Sequence, residues 1–285
     1  MKTFWKIFLL ILIIIIISVG TTISPALYKN VHYVDKHSNI TITGHRGAGN
    51  LAPENTIAAI SQGLAYGVDR IEVDVRQSKD GVVYLMHDAM VDRTTDGSGK
   101  IADLTSAEIN KLDAGAWFNG KFQGEHVPTL EEALKAIDGK AKLVIEIKDG
   151  SEVYPGIEKN VVDLVKKYNA TDWVIIHSFR TDILEKIHQL EPKIELHKLF
   201  VFKTNILPVL YDLKLHISTV PHLGYTPEVS VYYKFVNPWL IKRVHQLGMK
   251  INAWTVDDLE TAQRLVSIGI DGIITNSPDI MQKLK

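Results

Sequence analysis

Residues 70–87 read RIEVDVRQSKDGVVYLMH, and this stretch decides how the chain folds. Arg70–Val75 has the composition of a buried strand, and a second apolar run, Val82–His87, follows after only a short turn at residues 79–81. A Lys-Asp-Gly turn joins antiparallel strands, because a parallel neighbour requires a crossover of about a dozen residues or more. The second run therefore returns antiparallel, and we predict that residues 77–127 form a small insertion after the second strand.

From residue 40 onward, short apolar runs alternate with helical patterns, which predicts a parallel sheet built from strand–helix units. With the hairpin arm set aside, the candidate parallel strands are Ile40–Gly44, Arg70–Val75, Lys142–Lys148, Trp173–Ser178, Ile194–Phe200, Ile217–Val220, Lys250–Thr255 and Gly272–Asn276. The candidate helices between them are Thr56–Tyr66, Leu130–Ile137, Val153–Tyr168, Asp182–Leu190, Pro238–Leu247, Asp257–Ile268 and Ser277–Leu284. Eight such units in about 245 residues predict an α/β fold, a (β/α)8 TIM barrel spanning residues 40–285.

Residues 1–26 predict a membrane-directing segment, because Lys2 and Lys6 precede a long apolar run. As a helix, Phe4–Ile23 has a length of about 30 Å, which matches the hydrocarbon core of a bilayer. The run is long for a signal core, which favours an uncleaved transmembrane anchor, but small residues near position 26 leave a cleaved signal peptide as the alternative. Both interpretations place the rest of the chain outside the cytoplasm, on the cell membrane or secreted, with residues 27–39 as a tether.

The composition excludes several classes of function. Lys and Arg total 32 against 33 Asp and Glu, a formal net charge of −1, so a broad basic surface for nucleic acid is not expected. The chain has no cysteine, which excludes disulfides, thiolate metal sites and a cysteine nucleophile. Its length of 285 residues is enough to bury a substantial core.

Carboxylates stand at alternate positions of two predicted strands. Glu72 and Asp74 are two residues apart in an otherwise apolar strand, so both side chains lie on one face, and Glu146 and Lys148 repeat this spacing in the next strand. Buried carboxylates repel one another unless a cation lies between them. In a barrel, the carboxyl ends of the strands meet at the active site, so we expect one divalent cation there, Ca²⁺ or Mg²⁺, because both prefer oxygen ligands.

Two histidines and an arginine are predicted to lie at the same end of the barrel. His45 and Arg46 follow the first strand between glycines, and His87 ends the returning hairpin arm. A histidine transfers protons near neutral pH, and the planar guanidinium of arginine binds phosphate. Beside a carboxylate-bound cation, these groups suit acid–base cleavage of a phosphodiester. Of the other histidines, only His177 and His222, near strand ends, are weaker candidates.

The ordered motifs resemble the glycerophosphodiester phosphodiesterase family. The resemblance spans about residues 42–279 and rests on His45-Arg46-Gly47, Pro53-Glu54-Asn55-Thr56, Glu72-Val73-Asp74-Val75, Asp80-Gly81, His87-Asp88, Arg93-Thr94-Thr95, Asp113 to Phe118, Pro128-Thr129-Leu130, Glu146-Ile147-Lys148, Ser178-Phe179, Ala253-Trp254-Thr255-Val256 and Asp271 to Pro278. Asn276 and Ser277 are mild variants of the family pattern, and neither falls on a position that the family uses for chemistry.

The resemblance implies a TIM barrel with a small insertion after the second strand. It also implies that Glu72, Asp74 and Glu146 hold a divalent metal, commonly Ca²⁺ or Mg²⁺, and that His45 and His87 are the catalytic acid–base pair. The expected reaction is metal-dependent hydrolysis of a glycerophosphodiester to sn-glycerol 3-phosphate and an alcohol.

Further roles follow from the same resemblance. Arg46 and Lys148 are expected to bind the substrate phosphate. Trp254 either forms a wall on the glycerol side or packs in the core. Glu54 and Asn55 either cap the first helix and brace the preceding loop or act in function. Trp117 and Phe118 belong either to the core of the insertion or to an apolar lip of the pocket.

Two other functions are open alternatives. The first is a membrane-proximal lysophospholipase D or a hydrolase of glycerol-phosphate polymers such as teichoic acid, which an N-terminal anchor would favour. The second is a non-catalytic phosphodiester-binding module on the cell surface, which the complete set of histidines and carboxylates disfavours. The expected partners are thus a small glycerophosphodiester or lysolipid and, through the N-terminal segment, a membrane.

Overall fold

The computed structural model describes residues 40–200 and 224–285, together with the backbone of residues 210–211 and 217–218. The predicted membrane segment and tether, residues 1–39, lie outside the described residues, as does His222. Among the residues that are described, no helix has the length and apolar character needed to cross a membrane.

A closed barrel of eight parallel strands forms the centre of the molecule. In chain order its strands are β1 (Thr41–Gly44), β2 (Arg70–Gln77), β4 (Lys142–Ile147), β5 (Val174–Ser178), β6 (Glu195–Phe200), β9 (Glu228–Tyr232), β10 (Lys250–Trp254) and β11 (Gly272–Thr275). β1 pairs with β2 on one side and with β11 on the other, which closes the sheet. The predicted TIM barrel is therefore confirmed.

Helices surround the barrel in the described part of the chain. They are α1 (Ile57–Ala65), α2 (Ser106–Ile109), α3 (Leu130–Ile137), α4 (Ile157–Lys167), α5 (Thr181–Leu190), α6 (Pro238–Gln246), α7 (Leu259–Ser267) and α8 (Pro278–Met281). Local sequence fixes where several of them begin. Thr129 starts α3 with a capping box, in which its hydroxyl accepts from the backbone of Glu132 while the Glu132 carboxylate accepts from Thr129.

The insertion after β2 begins as the turn at residues 79–81 predicts. A short strand, β3 (Val83–Leu85), pairs antiparallel with β2, with Leu85 opposite Val75. Helix α2 and two 3₁₀ turns, Ile101–Asp103 and Gly120–Phe122, follow before the chain returns to α3. This hairpin carries His87 to the carboxyl end of the barrel.

The prediction of a barrel strand at Ile217–Val220 is wrong. The described part, Ile217–Ser218 (β8), pairs antiparallel with Leu210–Tyr211 (β7) in a separate two-stranded sheet. The sixth position of the barrel belongs to β9, with the sequence EVSVY, which pairs with β6 and β10. Its polar residues Glu228 and Ser230 are buried. Because polar residues alternate with valines, β9 lacks the continuous apolar run that marks the predicted strands.

A buried ion pair explains why β9 tolerates a glutamate. Arg70 opens β2, and its guanidinium donates to both carboxylate oxygens of Glu228, at 2.6 and 2.9 Å. The Asn252 side chain donates to the same carboxylate at 3.0 Å. Burial alone would raise the pKa of Glu228, but the hydrogen bonds and the charge of Arg70 outweigh it and lower this pKa to about 2.

We expect Arg70→Met to lower the free energy of unfolding by about 3–5 kcal/mol, because it leaves the Glu228 carboxylate buried without its cation. Urea denaturation measures the loss. Lys142→Met is the control, since Lys142 pairs with Glu195 at 2.6 Å but is partly exposed, and its loss should be below about 1 kcal/mol.

The pH dependence gives a second test of the Arg70–Glu228 pair. The pKa of Glu228 is lowered from 4.5 to about 2 on folding, so its contribution to stability is complete above about pH 4.5 and is lost as the pH falls toward 2. The Arg70→Met variant should lack this part of the acid-induced loss. Equal urea midpoints at neutral pH for Arg70→Met and its control Lys142→Met would contradict a stabilising role for the Arg70–Glu228 pair.

Candidate functional site

Three buried carboxylates lie together at the carboxyl ends of β2 and β4. Asp74 of β2 lies opposite Glu146 of β4 in the parallel register, and Glu72 is two residues before Asp74. One oxygen from each carboxylate lies within 4.8 Å of the others. The alternating pleat of β2 and the parallel pairing of the two strands thus bring together the predicted metal ligands.

Lys148 lies against this carboxylate cluster. Its Nζ is 2.7 Å from Asp74 Oδ1 and 2.8 Å from Glu146 Oε1. These carboxylates outweigh burial and raise the pKa of Lys148. Burial and repulsion from the neighbouring carboxylates raise the pKa of Glu72 well above its usual value. Burial also raises the pKa of Glu146, and the charge of Lys148 offsets this only in part.

The environment of Asp74 acts in the opposite direction. Burial would raise its pKa, but the charges of Lys148 and Arg46 outweigh this and lower it. Asp74 is therefore ionised, whereas burial disfavours the ionised forms of Glu72 and Glu146. Asp74 Oδ1 and Glu146 Oε1 are fully buried and share the Lys148 ammonium. Three carboxylates outnumber the two cationic side chains beside them, and an oxygen-only cluster with surplus negative charge fits a divalent cation of the Ca²⁺ or Mg²⁺ type.

Arg46 follows β1 in a tight turn over the cluster. Arg46 and Gly47 have φ angles of 52° and 90°, and a Cβ on Gly47 would lie 2.6 Å from the Ala59 carbonyl carbon. The Arg46 backbone N donates to Glu72 Oε2 at 2.8 Å, and its Nε lies 3.5 Å from Asp74 Oδ2. The turn thus fixes Arg46 beside the carboxylates and at the cavity.

His45 lies on the same turn and is oriented by Asn276. Its Nδ1 lies 2.7 Å from Asn276 Oδ1, and the Asn276 amide group donates to Asp257 Oδ2 at 2.8 Å. Because Asn276 presents its oxygen, His45 Nδ1 is the protonated nitrogen and Nε2 is left as the acceptor. Burial and the charge of Arg46 lower the pKa of His45 to about 4, which keeps the ring neutral near pH 7.

His87 has an anionic partner instead. Its Nδ1 lies 2.6 Å from Asp88 Oδ1, so Nε2 is again the nitrogen that is free for chemistry. Burial lowers the pKa of His87, while Asp74 and Asp88 act to raise it. The two histidines therefore differ in kind, since a carboxylate beside His87 stabilises an imidazolium that the amide of Asn276 does not.

One cavity of about 210 Å³ brings these groups together. The predicted site residues that line it are His45, Arg46, Glu72, His87, Glu146, Lys148 and Trp254, and Asp74 lies buried among them. Its apolar side includes Phe179 and Leu199. The Trp254 ring lies 5.6 Å from Phe179 and 5.5 Å from Tyr232, measured between centroids. The cavity thus has a charged side and an aromatic side.

The structure adds residues that the sequence analysis missed. Asn276, interpreted as a mild variant, contacts His45, and Asp257 orients it. His177, a weaker candidate, lines the cavity and is buried. Phe179, in the Ser178-Phe179 motif, lines the cavity, a position that its motif alone does not indicate. The only signal for Asn276 was its place directly after β11, where barrel strands end at the active site.

Glu54 and Asn55 contact residues of the site and do not cap the first helix. Thr56, not either of them, caps α1 through a bond from Ala59 N. Asn55 braces β2, because its side chain donates to Asp74 Oδ2 at 2.8 Å and accepts from Asp74 N at 3.0 Å. Glu54 pairs with Arg46 at 2.7 Å. Both residues therefore support the site.

The aromatic residues of the insertion form a cluster of their own. The Trp117 and Phe118 rings lie 5.7 Å apart, as do those of Phe118 and Phe122. Trp117 also donates from its indole nitrogen to Ala114 O at 2.8 Å. Neither Trp117 nor Phe118 lines the cavity described above. This arrangement favours a role in the insertion's own packing.

A family model and individual relatives match this chain and agree on its family. Residues 45–280 match the model of the glycerophosphoryl diester phosphodiesterase family. A glycerophosphodiester phosphodiesterase of Caldanaerobacter subterraneus is 38% identical over 244 residues, covering 85% of this chain and 96% of that protein. One from Bacillus subtilis is 33% identical over 295 residues, covering 96% and 97%.

Solved structures have the same fold. An Oleispira antarctica phosphodiesterase in complex with the product sn-glycerol-3-phosphate superimposes with a TM-score of 0.76 at 27% identity, covering 86% of this chain and 96% of that one. A glycerophosphodiester phosphodiesterase from Agrobacterium tumefaciens gives a TM-score of 0.71 at 29% identity, covering 86% and 99%.

Proposed function

Since the chain belongs to the glycerophosphodiester phosphodiesterase family and is a phosphoric diester hydrolase, we propose that it uses a divalent cation and two histidines to hydrolyse glycerophosphodiesters. The products are sn-glycerol 3-phosphate and an alcohol. The observation that carries this proposal is the convergence of three buried carboxylates, two cationic side chains and two histidines on one cavity.

Glu72, Asp74 and Glu146 would hold Ca²⁺ or Mg²⁺. Such an ion would neutralise negative charge on the phosphoryl group and act as a Lewis acid toward it. Lys148 and Arg46 contribute further positive charge where the phosphate would lie, and the planar fork of Arg46 suits two phosphate oxygens. Lys148 contacts Asp74 and Glu146, Arg46 Nε lies 3.5 Å from Asp74, and the Arg46 backbone N donates to Glu72, so these groups are held close together at the cavity.

The different partners of the two histidines support different roles for them. His45 is neutral with a free Nε2, so it accepts the proton of the nucleophile, either a water or the substrate's own 2-hydroxyl. His87 has Asp88 to stabilise its protonated form, so it donates a proton to the alcohol oxygen as the phosphorus–oxygen bond breaks. Attack and departure thus use one base from the β1 turn and one acid from the insertion.

Trp254 is proposed to bind the substrate on the aromatic side of the cavity. We expect Trp254→Ala to raise KM by roughly 10-fold, because a ring in contact with Phe179 and Tyr232 offers a large, fixed apolar surface. Trp239→Ala is the matched control, since Trp239 lies on α6 and is 60% exposed. Steady-state kinetics on one glycerophosphodiester separates the variants, and an unchanged KM for Trp254→Ala would remove it from the substrate site.

Export of the barrel is a further part of the proposal. Its support is the sequence of residues 1–23, in which two lysines precede a long apolar run. Protease accessibility of Lys167 on intact cells would test it, because an exported barrel exposes this residue to added protease. An anchored barrel would lie beside lipid and polymer substrates, so the substrate panel must include them.

A product assay tests the proposed activity. The full-length chain is incubated with glycerophosphocholine, a lysophospholipid and a glycerol-phosphate polymer, each with Ca²⁺, Mg²⁺ or EDTA. The products measured are sn-glycerol 3-phosphate from glycerophosphocholine and from the polymer, and lysophosphatidic acid with the free alcohol from the lysophospholipid. Release from glycerophosphocholine with metal supports the proposal. Faster release from a lysolipid or polymer would instead identify a membrane-proximal enzyme. Binding without turnover would indicate a non-catalytic module.

A further inference from the structure

A continuous chain of charged contacts joins His87 to Arg46 around the rim of the cavity. His87 Nδ1 lies 2.6 Å from Asp88, and Asp88 Oδ2 accepts from Arg93 Nε at 2.5 Å. Arg93 Nη1 and Nη2 donate to the two oxygens of Glu54 at 2.9 and 2.7 Å. Glu54 Oε1 in turn accepts from Arg46 Nη1 at 2.7 Å. The chain thus connects two side chains that face the cavity.

This series of contacts from His87 to Arg46 also joins two separate parts of the fold. Glu54 and Arg46 belong to the segment between β1 and α1, whereas His87, Asp88 and Arg93 belong to the insertion. Arg93 makes the charged connection between them and spans 39 residues of sequence to reach Glu54, while Arg76 Nε holds the backbone carbonyl of His87 at 2.9 Å. The insertion carries the proposed acid, and the β1 turn carries the proposed base and a phosphate-binding cation. A fixed distance between these two parts is what the reaction requires.

Only a guanidinium can make all the contacts of Arg93. It uses Nε toward Asp88 and both terminal nitrogens toward Glu54. Lysine has a single ammonium and lacks this planar fork. Burial would raise the pKa of both carboxyl groups, but their hydrogen bonds outweigh it, so the pKa of Glu54 is lowered and that of Asp88 falls to about 2. Both are ionised at neutral pH and pair fully with Arg93.

We propose that Arg93 is a positioning residue that sets the distance between His87 and Arg46 by holding Asp88 and Glu54 together. This inference rests on the proposed phosphodiesterase function. Arg93 itself is not placed at the reacting atoms, and its side chain is 44% exposed. An exposed ion pair ordinarily contributes little to stability, so its value here lies in the geometry of the site.

Kinetics of Arg93→Ala tests the proposal. We expect kcat to fall by about 10²-fold with KM changed by less than about threefold, because a small misplacement of the acid affects the transition state more than substrate binding. Arg93→Lys should recover only part of kcat, since an ammonium reaches one carboxylate at a time. Added guanidinium at low millimolar concentration should raise kcat of Arg93→Ala, whereas NaCl at equal ionic strength should not. A purely structural role would show neither effect.

Lys167→Ala is the matched control. Lys167 also joins two elements through an exposed ion pair, at 2.8 Å from Glu131, but on the outer helices α3 and α4. Its kcat and KM should equal those of the wild type. The thermal midpoints of the Arg93 and Lys167 variants should each lie within about 4 °C of the wild type, as expected for exposed pairs.

Hydrogen exchange gives a readout that does not need turnover. Peptides covering residues 46–56 and 86–93 should exchange faster in Arg93→Ala than in the wild type, and Lys167→Ala should leave both unchanged. Wild-type turnover with an unaltered kcat in Arg93→Ala would overturn the positioning role and leave the proposed function intact. An inactive wild type would overturn the proposed function, and unaltered exchange in both peptides would then overturn this inference as well.

Discussion

Replacing His87 with alanine is expected to lower kcat by about 10²- to 10⁴-fold on a glycerophosphodiester with an alkyl alcohol, which is the range typical of a lost general acid. An alkoxide is a poor leaving group, and His87 Nε2, which faces the cavity from the insertion, is the proposed proton donor. His45→Ala should cause a loss of similar size, because it removes the base that accepts the nucleophile's proton.

The leaving group distinguishes the two histidines. A p-nitrophenyl ester of glycerol phosphate needs no proton on its departing oxygen, so His87→Ala should regain most of its activity on this substrate. His45→Ala should stay slow on both substrates, because the nucleophile still needs a base. Steady-state kinetics on the two esters measures this contrast. Recovery by His45→Ala alone would reverse the assignment of acid and base.

A surface histidine is the control for both variants. His245 lies on α6, is partly exposed, and pairs with Asp271 at 2.8 Å. His245→Ala should keep wild-type turnover on both esters. Each histidine variant should also bind the cation as the wild type does, since the carboxylates that would hold it are intact. A large loss of cation affinity in His87→Ala would mean that His87 supports the metal site rather than the departing alcohol.

The sequence was sufficient for features that depend on spacing along one strand or one turn. The two-residue spacing of Glu72 and Asp74 determines that their side chains share a face of β2, and the turn at residues 79–81 determines that β3 is antiparallel. Parallel pairing then brings Glu146 beside Asp74. These local rules are why the barrel, the insertion and the convergence of the proposed ligands could be predicted.

Contacts between distant segments could not be predicted in this way. Glu228 is buried on β9 because Arg70 crosses the barrel to meet it, 158 residues away in sequence, and no local pattern reports such a partner. Asn276 meets His45 across 231 residues. Both residues look like ordinary polar positions in sequence. Their importance arises only when closure of the barrel brings β2 opposite β9 and β11 beside β1.

Removal of divalent metal is expected to have the largest effect, a loss of activity of at least about 10³-fold, because the proposed cation would contribute several kcal/mol of transition-state stabilisation. Dialysis against EDTA followed by titration with Ca²⁺ or Mg²⁺ measures both the loss and its recovery. The excess of three buried carboxylates over the cationic side chains Lys148 and Arg46 supports this expectation. Activity that persists after complete chelation would contradict it.

Single substitutions then test which carboxylates hold the cation. Glu72→Ala should be inactive at low metal and partly restored by excess metal, since two ligands remain. Glu195→Gln is the control, because Glu195 belongs to a second cluster with His197 and Glu228 that has comparable ligand spacing. That cluster is neutralised, with Lys142 at 2.6 Å from Glu195 and Arg70 at 2.6 Å from Glu228, whereas surplus negative charge remains around Glu72. A weakened metal response in Glu195→Gln and not in Glu72→Ala would move the cation to the other end of the barrel.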